Sequence, residues 1–494
     1  MNIRSNSAYP ATSRTVFSKS HVSNQIDCEV LIVGGGPSGL AACLQAAELG
    51  LHTVLIEANG FFGGNGPETE GVFAVGSEMQ IKHGFDIPFR KIIESECGLS
   101  NYTINALLWQ DMVKASGENI GWLQKHGVGF SGIVDRCKGD GEVSCFHWFR
   151  KRSSDGRGDG SLLTAPLLEA AKNLGSLAIA NTRGMELIMN RGDVAGLLAA
   201  DSCSGNMMQF NCRAVILASG GFADNTEMMA ARGFDMEHMF RRGVCGHNGD
   251  GLRMAVSAGA EDVSRLRTHL LKLHILPLHA YSPTTTAIHQ TGHAIWVNGN
   301  GERYANELCG EHNKVFYANA KMTQERTYSV FDRAFIEINR TAAPDIDDDL
   351  AVMLGGPHHN CHRADTIEDL AVQAGIDPRA LQATLAHYND LCATGTDEDF
   401  AKRADRMIPI NTPPYYIVRQ DLAVWTTIGA IRTNRRFEAV DAKGRPVRGL
   451  YAAGVDGCEL YRNSYSLNVP GSCNAGNIHS GRVAAKSAFD YLRG

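Results

Sequence analysis

The sequence predicts an α/β fold whose nucleotide-holding sheet is assembled from distant parts of the chain, on three observations. An apolar run at residues 30–33 breaks into the turn Gly34-Gly35-Gly36-Pro37-Ser38-Gly39 and a small-residue helix. A second apolar run, 53–56, closes on the acidic residue Glu57. Strand-into-glycine-turn units then return at 214–222 and 449–454, far along the chain.

Taken in order, residues 1–24 are rich in Ser and other polar residues and lack the apolar core of about 7–15 residues that a secretory signal carries. They are expected to be a disordered leader. The 30–57 unit reads G-x-G-x-x-G between a strand and a helix that ends at Gly50. Gly34 permits the tight turn, Gly36 lets a pyrophosphate approach the backbone, and Gly39 lets the helix pack on the strand. The helix start offers N–H groups and positive dipole to phosphates, and Glu57 can accept from ribose hydroxyls. Gly63, Gly64 and Asn65 follow closely. Residues 262–420 lack such turns and carry helical patterns at 366–375, ending in Gly375, and at 378–392, with Leu381, Leu385, Tyr388 and Leu391 at 3/4 spacing. The segment 409–416, rich in Pro, reads as a return hinge. A final helix opens at about Pro470.

Composition narrows the class. The chain has 494 residues, 44% of them apolar and 20% charged, which is long enough for a large core. A net charge of −6 argues against nucleic acid as a partner. The apolar stretch 30–47 is interrupted by its glycines, so no membrane span is expected. Thirteen cysteines without a C-x-x-C pair argue against a disulfide framework or an iron–sulfur run and favour a reducing, cytoplasmic setting. The His-rich stretch 358–362 reads as a solvated loop, and no metal site is expected. The basic cluster Arg150, Lys151, Arg152 and Arg157 reads as a surface loop.

These blocks, with residues 247–252, 258–260, 297–307 and 428–430, resemble the succinate dehydrogenase and fumarate reductase flavoprotein family, whose relatives include urocanate reductases and 3-ketosteroid dehydrogenases. The resemblance implies FAD, held by a discontinuous Rossmann-like FAD-binding domain with an inserted α+β capping domain. The corresponding boundaries are 25–261 and 421–494 for the FAD-binding domain and 262–420 for the cap. No second G-x-G-x-x-G follows, so a separate electron donor or acceptor is expected.

The resemblance also implies site residues. Gly34, Gly36, Ser38 and Gly39 would meet the FAD pyrophosphate and Glu57 the adenosine ribose. Gly63, Gly64 and Asn65 would lie near the flavin, and Ala218, Ser219 and Gly220 on the adenosine side. Asp250 would serve the ribityl or phosphate region. Gly454, Ser472, Cys473 and Asn474 would meet the ribityl and pyrimidine end, with Asp456 replacing the acid that relatives carry one position earlier. Where dicarboxylate reductases carry cationic groups, this chain aligns Gln290, Thr426 and Asn468, flanked by His289 and His293. Those neutral replacements argue against a dianionic substrate. Tyr465 is the expected proton-transferring group, with Tyr461 as an alternate, and His279 is the expected histidine of the cap. The function this implies is reduction of an activated alkene, a small organic substrate, by hydride from flavin N5 with a side-chain proton. The reverse α,β-dehydrogenation of a bulky neutral ketone, and a non-catalytic flavin sensor, are the alternatives.

Overall fold

The computed structural model describes residues 22–85, 87–136, 144–150, 159–234, 236, 239–266, 269–278, 282–310, 315–457, 459–462, 465 and 469–494. His279 and Asn468, together with Lys151, Arg152 and Arg157, lie outside the described residues.

The four-residue apolar runs Val30–Val33, Thr53–Ile56 and Ala214–Leu217, too short for helices, become buried strands of a six-stranded sheet. Its order is Glu438–Val440, Pro446–Ala452, Ala214–Leu217, Val30–Val33, Thr53–Ile56 and Leu177–Ile179, with only the first pair antiparallel. Val30, Leu31 and Ile32 are all 0% exposed because the sheet is covered on both faces. Val30 and Ile32 face the helices, while Leu31 and Val33 face a second sheet. That second sheet has the order Val22–Asp27, Met207–Asn211, Asp193–Asp201 and Thr182–Asn190. Its first strand begins inside the stretch read as a leader.

The register places Val33 beside both Leu217 and Ile56, and Leu217 beside Ala452. The segments leaving these strands therefore emerge at one carboxyl edge, where ligands of open parallel sheets bind. On the helical face, Pro37–Glu48 lies against Ser472–Arg493. The approach is close enough that a Cβ at Gly481 would fall 2.3 Å from the Ser38 carbonyl oxygen.

Between residues 262 and 420 the chain builds a different sheet, Ile295–Asn298, Thr327–Asp332, Tyr415–Arg419 and Cys361–Ala364. Helices Ile367–Ala374 and Pro378–Thr394 cover it, and Leu381, Leu385, Tyr388 and Leu391 are all buried as the 3/4 spacing predicts. Here Arg303, Glu307, Asp397 and Lys402 form a buried ion network, with Arg303 to Asp397 at 2.8 Å and Lys402 to Glu307 at 3.2 Å. A three-stranded sheet, Met239–Arg241, Asp421–Thr427 and His269–His274, ties this region to the nucleotide-cradle elements.

Buried imidazoles give the fold a pH signature. Burial pushes His147 and His479 down to about 4 and His289 down to about 3. These values lie below the unfolded value near 6.5, so the unfolded chain binds more protons across the interval. Their contribution to stability is complete above about pH 6.5 and is lost progressively as pH falls toward 4. Thermal unfolding scanned at intervals from pH 7.5 to 4 should show a falling midpoint in that window. A midpoint unchanged down to pH 4 would contradict the burial of these rings.

Candidate active site

The converging segments enclose a cavity of about 950 Å³, near the upper end of the range for cofactor sites. Gly34, Gly36, Pro37 and Ser38 form one wall. Gly34 has φ +108°, and a Cβ there would meet the Ala218 carbonyl oxygen at 2.2 Å. A Cβ at Gly39 would sit 1.8 Å from the Gly34 oxygen, so Gly39 serves the packing and does not line the cavity. At Gly36 a Cβ would meet nothing within 4 Å. Helix Pro37–Glu48 starts there with no side-chain cap, leaving its dipole open to an anion.

Glu57 leaves the end of its strand into the same space. It accepts from the N–H groups of Gly35 at 2.7 Å and Asn59 at 2.8 Å. Burial raises its pKa, an effect those two bonds oppose. Each carboxylate oxygen retains a lone pair for a ligand hydroxyl. Ala218, Ser219 and Gly220 line the cavity as expected from sequence. So does Asp250, which is held bidentately by Arg183 at 2.7 and 2.9 Å and is also met by Arg253.

Gly64, Asn65, Thr426, Tyr465, Cys473 and Asn474 also line the cavity, with Phe146, Trp425, Val455 and Gly471. Asn65 ties two segments together: it donates to the Trp425 carbonyl at 3.1 Å and accepts from the Val244 N–H at 2.7 Å. Helix Ser472–Arg493 starts behind Gly471, which has φ +79°, again with no side-chain cap. Asn474 holds the Gly71 carbonyl at 3.0 Å.

Several nominated residues stand elsewhere. Gly63, Gly454, Asp456 and Ser472 do not line the cavity. Asp456 is 1% exposed and accepts from the Ser219 hydroxyl at 2.9 Å and the Gly221 N–H at 2.8 Å, fastening that turn from behind. Gly454 packs on Ser38, whose Oγ is 2.3 Å from where its Cβ would be. Tyr461 is 1% exposed and donates to Ser472 Oγ at 2.8 Å. Its ring lies edge-on to Trp109 and 4.7 Å from the Tyr465 ring. His289 is buried away from the cavity with neither ring nitrogen bonded among the described residues. Gln290 accepts from the Tyr317 hydroxyl through its backbone carbonyl at 3.3 Å. His293 lies between Asn339 and Arg406.

Sequence reading did not single out Arg183, Arg241, Arg242, His247 or Trp425, all of which line the cavity. Arg241 pairs with Asp224 at 2.7 Å and donates to His247 Nδ1 at 2.6 Å. Since guanidinium can only donate, the imidazole is neutral with its proton on Nε2, and burial, the largest cause, pushes its pKa down to about 4.

Residues 29–468 match the FAD binding domain family. The chain belongs to that family. This flavoprotein is similar to vinyl phenol reductase of Lactiplantibacillus plantarum, at 28% identity over 490 residues covering 94% of this chain and 96% of that one. It is also similar to urocanate reductase of Eggerthella lenta, at 28% over 474 residues, covering 94% and 74%. Among solved structures, 3-ketosteroid-Δ4-(5α)-dehydrogenase from Rhodococcus jostii in complex with 4-androstene-3,17-dione superposes with TM-score 0.71 at 23% identity, covering 97% of this chain and 99% of that one. That likeness concerns the fold. The flavoprotein is an FAD-dependent oxidoreductase of the CH–CH class, in a family with reductases of activated C=C bonds. Its open space over Gly36, two uncapped helix starts and a buried acid at Glu57 fit a flavin dinucleotide. Among the described residues, no helix is long and apolar enough to cross a membrane.

Proposed function

We propose that this oxidoreductase reduces a carbon–carbon double bond conjugated to an oxygen-bearing group, with Tyr465 delivering the proton. The supporting observation is that Tyr465 lines the cavity, as do Gly471, Cys473 and Asn474, whereas Tyr461 does not and is bonded to Ser472. When bound, the flavin would supply the hydride equivalent for this reduction. The phenol of Tyr465 gives its proton to the neighbouring carbon, and Tyr461 fixes the Tyr465 ring from the protein side. In this reading Gly34, Gly36 and Ser38 hold the pyrophosphate, Glu57 the ribose, and Asn65 and Asn474 position the segments around the ring system. Residues 25–261 and 421–494 carry the cofactor, residues 262–420 cap it, and a separate donor supplies the electrons. Similarity to a vinyl phenol reductase across nearly the whole of both chains supports the reductive direction.

The test is anaerobic photoreduction of the holoenzyme followed by a panel of enoates, vinylphenols, enones and saturated ketones. Prompt reoxidation by a conjugated alkene is the expected result. Bleaching of the oxidised enzyme by a saturated ketone, with no alkene response, would reverse the assigned direction.

A further inference from the structure

Among the described residues, Arg183, Arg241 and Arg242 line the cavity, and their partners differ. Arg183 is neutralised by Asp250 and Arg241 by Asp224. Arg242 has no carboxylate partner among the described residues. Its Nη2 donates to His274 Nε2 at 3.1 Å, and more weakly to the Leu278 carbonyl at 3.4 Å, and both acceptors are neutral. Glu68 and Glu70 also line the cavity, but neither is bonded to Arg242.

The position of Arg242 is fixed from two sides. Its N–H donates to the Val424 carbonyl at 2.9 Å, just before the cavity-lining Trp425 and Thr426. The next residue, Gly243, packs so tightly on Asn65 that a Cβ would fall 2.5 Å from Asn65 Oδ1. The backbone of Arg242 is thus held close to Asn65, while its guanidinium reaches His274 and Leu278 in the inserted segment. His274 is 0% exposed, so the group that braces the guanidinium is itself immobilised.

A part-buried guanidinium bonded only to neutral acceptors among the described residues keeps its charge and spare N–H donors for an anion. Its planar fork matches a carboxylate or phenolate oxygen better than a point charge would. We infer that Arg242, braced by His274, anchors the substrate through one conjugated oxyanion, so that the substrate is an alkene bearing a single carboxylate or phenolate. A single guanidinium without an ion-pair partner among the described residues offers one anchoring point for one negative charge. A second carboxylate would find the neutral Thr426 where a cation is needed. For a carboxylate-bearing alkene, the same guanidinium would meet the oxygen on which charge accumulates during hydride addition, where a fixed donor is most effective.

This inference deepens the proposed function and rests on it for the conjugated alkene, but its test reads binding to the oxidised holoenzyme without turnover. Flavin absorbance would be titrated with 3-phenylpropanoate, its methyl ester, 4-ethylphenol and succinate, in wild type, R242Q and R242K. Wild type should bind 3-phenylpropanoate or 4-ethylphenol about tenfold or more tighter than the ester or succinate. R242Q should remove that preference while leaving ester binding and flavin content unchanged, and R242K should restore part of it. Whichever of the carboxylate and the phenol loses affinity in R242Q identifies the source of the oxyanion. Equal effects on acid and ester, no effect on either, or loss of flavin from R242Q would each overturn the assignment. Discrimination without alkene reduction would sink the reductase reading and leave Arg242 as the anion anchor.

Discussion

Replacing Tyr465 with phenylalanine is expected to slow reoxidation of the photoreduced enzyme by alkene about 10²–10⁴-fold, the usual size of a lost general acid. The substitution removes one oxygen from a ring that is 5% exposed and leaves its packing on Tyr461 in place. Flavin content, photoreduction rate and substrate binding should therefore remain close to wild type. Tyr461→Phe offers the internal control. It removes the bond to Ser472 but no cavity-lining group, so its effect on turnover should be much smaller. Wild-type reoxidation by Y465F would move the proton donor elsewhere, and the histidine expected in the cap, His279, would become the next candidate.

The second large effect separates folding from cofactor binding at two glycines of one turn. Gly36 has φ −75°, which any residue adopts, and a Cβ there meets no protein atom within 4 Å. Gly36→Ala should fold with a thermal midpoint close to that of wild-type apoprotein and yet purify almost colourless, because the added methyl occupies the space assigned to the pyrophosphate. Gly39→Ala should do the reverse. Its methyl would lie 1.8 Å from the Gly34 carbonyl oxygen, a backbone atom that cannot rotate aside, and such overpacking costs about 1–3 kcal/mol or more. Lower stability in the apoprotein should therefore accompany any loss of colour in G39A. A yellow G36A with normal FAD affinity would show that the phosphates lie elsewhere.

The parts legible in the sequence were those written in consecutive residues. The strand Val30–Val33, its turn, the helix behind Pro37 and the strand Thr53–Ile56 follow from apolar runs and glycine spacing within one short segment. The helix Pro378–Thr394 follows from its 3/4 apolar spacing, and Gly375, with φ +68°, stops the helix before it. What was not legible depends on pairing across long separations. Arg241 and Arg242 reach the cavity because Met239–Arg241 runs parallel to Asp421–Thr427, a pairing that no local pattern announces. The sheet of Gly71–Phe73, Ser144–Phe149 and Phe130–Arg136, which delivers Phe146, is likewise a product of tertiary pairing. Asp456 shows the reverse case. Its place beside a cofactor turn is evident from sequence, but only the fold shows the carboxylate turned inward to hold Ser219 and Gly221.

The contact between helix Pro37–Glu48 and helix Ser472–Arg493, with strand Pro446–Ala452 beside Ala214–Leu217, has a consequence for biosynthesis. The cradle made early in translation cannot be completed until the last elements leave the ribosome. Until then its apolar sheet edge and helix flank stay exposed to chaperones or to aggregation. Flavin retention is accordingly expected only once these elements have docked, so a nascent chain stalled before residue 446 should emerge unable to hold the chromophore.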